Sequence, residues 1–136
     1  MMTSRDARVL VVDDDAEIRE VVAAVLEDDG YRVDTASNGA EALRKAKKHR
    51  PDAIILDVTM PVMDGWQFLA KWRTRPARHR APVLVVSVLR DWRAALDRGA
   101  KAYLSKPFDL ETLETTLASV LQAVPTHVRV GASLSA

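Results

Sequence analysis

Hydrophobic residues along this chain follow two alternating patterns. Val9-Leu10-Val11-Val12, Ile54-Ile55-Leu56 and Val83-Leu84-Val85-Val86 are short unbroken aliphatic runs. Such runs predict strands buried on both faces. Between them, apolar residues recur at helical spacing. Ile18, Val21, Val22, Val25 and Leu26 predict a first helix, stopped by Gly30. Tyr31 to Ala36 reads as a second strand. Asn38 and Glu41 form a capping-box pattern that opens a second helix, with Leu43 and Ala46 inward and Pro51 closing it. Asp64 and Gln67 open a third helix, whose Trp66, Leu69 and Trp72 are expected in the core. Trp92, Ala95 and Leu96 mark a short fourth helix stopped by Gly99, and core packing is the expected role of Trp92. Ala102-Tyr103-Leu104 is a brief fifth strand, and Leu110, Leu113, Leu117, Val120, Leu121 and Val124 outline a fifth helix. Five strand–helix alternations predict one α/β domain over residues 1–124, a parallel sheet with helices on both faces. Residues 125–136 show no periodicity and are expected to be a flexible tail or linker.

Composition narrows the chemistry. With 136 residues the chain is long enough for one core. It has no cysteine, which excludes disulfides, thiolate metal sites and a cysteine nucleophile, and a cytoplasmic setting is expected. A net charge of +1 gives no global attraction to nucleic acid or membrane. The aliphatic runs are too short to span a bilayer, and residues 1–8 lack the apolar stretch of a signal peptide. The basic segment from Arg73 to Arg80 precedes the fourth strand and has no interleaved aromatic residue, so a solvated loop is expected there. His49, His79 and His127 fall at helix ends or in loops and are expected at the surface.

In open α/β sheets, ligands bind beyond the carboxyl ends of the strands. Those ends carry Asp13 and Asp14, then Asp57 with Thr59 two residues on, then Ser87, then Lys106. Three carboxylates and one ammonium leave a formal charge of −2, which one divalent cation balances. An all-oxygen carboxylate set suits Mg²⁺, which prefers to share phosphate oxygens. The set points to phosphoryl transfer, with Asp57 as nucleophile and Lys106 and Ser87 on the phosphoryl oxygens. Each member also has a structural reading. Asp14, with Glu17 three residues later, fits a helix cap, Asp57 fits a turn, and Ser87 and Lys106 fit loop and surface positions. Their convergence at one rim favours chemistry.

Four segments carry a resemblance: Val9 to Asp15, Ile54 to Gly65, Val85-Val86-Ser87, and Gly99 to Phe108. In these the chain resembles the receiver domain of two-component response regulators, from about Ala7 to Gln122. The resemblance implies a flavodoxin-like, doubly wound, five-stranded parallel sheet of order 2-1-3-4-5 with five helices. It implies that Asp57 accepts a phosphoryl group from a histidine kinase or phosphotransfer protein. Mg²⁺ would be held by Asp14, Asp57 and the Thr59 backbone carbonyl, with Asp13 acting through water. Ser87 and Tyr103 would form a switch pair, Lys106 would contact the phosphoryl group, and the Lys106-Pro107 bond would be cis. Such a domain catalyses only its own phosphorylation and dephosphorylation. Its output would be a binding surface for a downstream protein or a second copy, with neither nucleic acid nor membrane as partner. Three features depart from the family pattern. Val88 follows the switch hydroxyl where alanine or glycine is usual, Leu89 replaces a frequent polar residue, and the span from Ser87 to Lys106 is about one helical turn short. Val88 keeps open a receiver that binds partners without being phosphorylated. A Mg²⁺-dependent phosphohydrolase is disfavoured, because the chain is too short for a cap domain.

Overall fold

The computed structural model describes residues 7–59, 63–76, 79–88 and 92–122. Five strands, β1 (Arg8–Val12), β2 (Arg32–Ala36), β3 (Ala53–Asp57), β4 (Val83–Ser87) and β5 (Ala102–Ser105), alternate with five helices. These are α1 (Ala16–Asp28), α2 (Gly39–Lys48), α3 (Gly65–Trp72), α4 (Trp92–Asp97) and α5 (Leu110–Gln122). Every strand pairing is parallel, in the order β2-β1-β3-β4-β5. The expected tail at 125–136, with Val124, His127 and Leu89, lies outside the described residues.

The three aliphatic runs are the three internal strands, and burial on both faces is why they show no polar alternation. Their side chains alternate between two cores. Leu10, Val12, Ile54, Leu56, Val83 and Val85 pack with Phe68, Leu69 and Trp72 on the α2–α4 side. Val9, Val11, Ile55, Leu84 and Val86 pack with Val22, Leu26, Leu113 and Leu117 on the α1–α5 side. Burying each such side chain contributes about 1.5–3 kcal/mol, so these rows hold the sheet and its rim in place.

Helix ends differ in detail from the sequence pattern. Asp15, not Asp14, caps α1, its carboxylate accepting from the Glu17 and Ile18 N–H groups. Asp14 is left exposed at the rim. Asn38 caps α2 through the Glu41 N–H, but Glu41 accepts from Ser37 rather than closing the box on Asn38. The box at α3 is complete, with Asp64 and Gln67 exchanging bonds of 2.9 and 3.0 Å. Gly30 ends α1 with φ at +102°, a region that L side chains rarely enter.

At α3, Leu69 and Trp72 are buried as expected, while Trp66 is partly buried against the same core. The expectation for Trp92 fails: it is 48% exposed, because the six-residue α4 buries only Ala95. Its ring instead carries the Arg93 guanidinium at 5.0 Å. No described helix is long and apolar enough to cross a membrane.

Candidate functional site

Strand register assembles the rim. Val12 pairs with Leu56, so the next residues, Asp13 and Asp57, leave neighbouring strands side by side. Ser87 pairs with Ser105, which sets Lys106 just beyond it. The Lys106 N–H donates to the Ser87 carbonyl at 2.8 Å and fixes where the ammonium starts. Nζ then reaches back across the sheet, 2.9 Å from Asp13 Oδ2 and 3.2 Å from Asp57 Oδ2. The Lys106-Pro107 bond is cis.

Asp57 is 5% exposed and Asp13 2%, whereas Asp14 is exposed. The second oxygen of Asp57 accepts the Thr59 N–H at 3.0 Å. Asp13 Oδ1 accepts the Asp15 N–H at 2.9 Å, and its carbonyl accepts Arg19 Nη1 at 2.7 Å. Burial pushes the Asp57 carboxyl above its ordinary pKa, against the Thr59 N–H and the Lys106 charge, with Asp13 adding to the rise. Burial would by itself lower Lys106, but its bonds to Asp13 and the Asp13 and Asp57 charges outweigh that and raise it. The ammonium is therefore firmly charged, while Asp57 ionises with difficulty. A buried anion in that condition favours any added positive charge.

The geometry fits a cation. One oxygen from each of Asp13, Asp14 and Asp57 lies within 4.8 Å of the others, close enough for one ion to touch all three. Hard carboxylate oxygens suit Mg²⁺ or a similar divalent ion. Ser87 is fully buried at the end of β4, and the Tyr103 hydroxyl lies 3.5 Å from its carbonyl, with the ring partly buried in the α2–α4 core. The expected rim residues Asp13, Asp14, Asp57, Thr59, Ser87 and Lys106 thus meet at one place.

The family model of the response regulator receiver domain matches residues 9–118. This chain belongs to that family. As a receiver domain it is a phosphorylation-controlled switch of two-component signalling. It is 42% identical over 118 residues to the transcriptional regulatory protein PrrA of Mycobacterium tuberculosis, and 39% identical to the response regulator MprA of Mycobacterium leprae. Each match takes in 85% of this chain, and about half the length of those relatives is spanned. Among solved structures, the chemotaxis response regulator CheY4 of Vibrio cholerae superposes with a TM-score of 0.77 at 43% identity, covering 84% of this chain and 98% of that one. The response regulator TrrA of Thermotoga maritima, in complex with Mg²⁺ and BeF, gives 0.75 at 32% identity, covering 84% and 98%.

Residue patterns had not singled out three supports of the receiver site. Asp15 holds both α1 and Asp13. Arg19 reaches back from α1 to the Asp13 carbonyl. Gly65 packs against the end of β3: a Cβ there would meet Val58 Cα at 2.3 Å and the Asp57 carbonyl at 2.7 Å. Its N–H donates to the Val58 carbonyl at 2.9 Å. Only the Asp64-Gly65 pair following β3 signalled it in the sequence.

Beside the site runs a groove of about 950 Å³ between α1 and the β5–α5 connection. Ile18, Val21, Val88, Pro107, Phe108 and Leu110 make it mainly apolar, and Lys106 stands at its edge. Val88 is 65% exposed, with most of its surface in solvent rather than packed over Asp57.

Proposed function

We propose that Asp57 is the phospho-acceptor of this receiver, with Mg²⁺ as the metal of the acidic pocket. The carrying observation is the pairing of one buried lysine with two buried carboxylates beside an exposed third, a set left one divalent cation short of neutrality. Asp13, Asp14 and Asp57, with the Thr59 carbonyl, would hold the ion. When bound, it supplies charge neutralisation between the carboxylates and an incoming phosphoryl group.

In the transfer, an Asp57 carboxylate oxygen forms a bond to phosphorus as the bond from phosphorus to the donor atom breaks. The Thr59 N–H fixes one Asp57 oxygen. Lys106 follows the negative charge as it moves onto the phosphoryl oxygens, and the Ser87 hydroxyl serves as donor to one of them. The domain catalyses only this transfer and its hydrolysis. The donor is a histidine kinase or phosphotransfer protein, and the apolar groove along α1 opens beside Lys106 where such a partner must approach. Residues 1–124 form the receiver unit, acting in the cytoplasm.

Output follows from Ser87 moving toward the new phosphoryl oxygens, with Tyr103 filling the space behind β4. Its ring is already half-buried beside the Ser87 carbonyl, so a short displacement suffices. The α4–β5–α5 face then changes, and exposed Trp92 and Leu96 present it to a downstream protein or a second copy. Incubation with Mg²⁺ and acetyl phosphate should add one phosphoryl group per chain by intact mass. Asp57→Asn should abolish the addition. Label retained by that variant would move the acceptor elsewhere, and continuous phosphate release without a phosphorylated state would favour a hydrolase.

A further inference from the structure

We propose that Arg19 is a positioning residue for the metal site, setting the direction in which Asp14 presents its carboxylate; this rests on the divalent-cation reading above. Every polar group of Asp13 is engaged. Its N–H donates to the Ala36 carbonyl at 3.1 Å, Oδ1 accepts from Asp15 and Oδ2 from Lys106. The carbonyl is the remaining group, and Arg19 Nη1 holds it at 2.7 Å, a short bond from a charged donor.

That carbonyl belongs to the peptide unit whose nitrogen is that of Asp14. The peptide is planar, so fixing its oxygen fixes the plane from which the Asp14 side chain departs. Among the described residues no donor bonds the Asp14 carboxylate, which is exposed. Asp13 and Asp57 are oriented by Lys106 and backbone N–H groups, but Asp14 is oriented by its backbone alone. Arg19 therefore acts on the least constrained of the three carboxylates. It does so from partway along α1, a packed helix whose Val22 and Leu26 are buried in the core.

Two effects of the guanidinium oppose each other. Its positive charge near the acidic pocket repels a cation, so charge alone predicts that removing it tightens binding. Its hold on the peptide predicts that removing it loosens binding. Groups that orient metal ligands typically contribute 10- to 100-fold in affinity. Positioning should therefore win, and the sign of the change decides between the two.

The test is a Mg²⁺ titration of the full chain by ¹⁵N NMR, comparing the parent with Arg19→Met and Arg19→Lys, each checked by thermal melting. Arg19→Met should weaken Mg²⁺ binding about tenfold and shift the Asp14 amide in the metal-free spectrum. Arg19→Lys keeps one donor and the charge, and should recover part of the loss. Equal or tighter binding by Arg19→Met would overturn the proposal. If Arg19→Met does not fold, Arg19→Lys decides: weaker binding than the parent supports positioning, and unchanged affinity overturns it. A parent that shows no Mg²⁺ response would bring down the metal assignment itself and this inference with it.

Discussion

Replacing Lys106 by methionine removes the only ammonium among the described residues that touches Asp13 and Asp57. Its nitrogen stands 2.9 and 3.2 Å from their oxygens. At an effective dielectric near 20, each contact corresponds to about 5–6 kcal/mol of attraction. That sum is not what the fold would lose. A stranded carboxylate can take up a proton, and at pH 7 this costs about 4 kcal/mol for a carboxyl of ordinary pKa. Protonating one of the two also removes its repulsion with the other, so one proton suffices. The ammonium's own burial penalty disappears as well. A loss of about 3–4 kcal/mol at pH 7.5 is expected, within the range for breaking a buried ion pair.

The pH dependence follows from the same reasoning. The folded-state pKa of Asp57, already raised, would rise further in the variant. A raised carboxyl binds its proton in the folded state when the unfolded chain has released it, so stability falls as pH rises above the ordinary value. The deficit should shrink on acidification, by at most about 1.4 kcal/mol per pH unit, and should be largely gone by about pH 5. Urea unfolding followed by far-UV circular dichroism, in EDTA at both pH values, measures this. A deficit below about 1 kcal/mol at pH 7.5, or one equal at both pH values, would refute this electrostatic account.

Asp57→Asn, in contrast, should stabilise the metal-free chain at pH 7, because it removes a buried carboxyl that ionises against its environment; the gain should vanish toward pH 4, and a loss of stability at pH 7 would reverse the assigned sign. Gly65→Ala should cost about 2–3 kcal/mol, because its Cβ would overlap Val58 Cα and the Asp57 carbonyl, and a thermal melt within a degree of the parent would show that the loop yields freely. Asp64→Ala should cost about 1 kcal/mol through loss of the capping box at α3, read from the urea midpoint at constant slope. Iodide should quench mainly Trp92, since Trp72 is 3% exposed, and Trp92→Phe should remove most of the quenchable emission.

Legibility in the sequence followed burial. Strands β1, β3 and β4 stood out because internal parallel strands need apolar residues at every position, and their ends then pointed to Asp13, Asp57 and Ser87, with Lys106 following the brief β5. Strand order did not follow from periodicity, since every parallel arrangement of these runs buries the same residues; the family resemblance supplied it. Trp92 misled because a large aromatic usually finds a core, whereas α4 is too short to turn more than Ala95 inward. Asp14 matches the capping-box spacing through Glu17, yet the backbone gives the cap to Asp15, which has Ile18 rather than an acid three residues on. Arg19 and Gly65 act through contacts with residues six and seven or more positions away, one by reach and one by having no side chain; no local pattern announces Arg19, and only the Asp64-Gly65 pair hints at the other.

The reach of Lys106 also bears on how the protein is made. Its two ion pairs close loops of 93 and 49 residues, spanning from β5 to the strands at the centre of the sheet. A growing chain that has emerged only through Ser87 already carries Asp13, Asp14 and Asp57, but not the ammonium that pairs with two of them. The proposed chemistry at Asp57 would thereby be withheld from unfinished or truncated chains. On that reading, synthesis must pass Lys106, and β5 must dock on the edge of the sheet, before the domain can receive a signal.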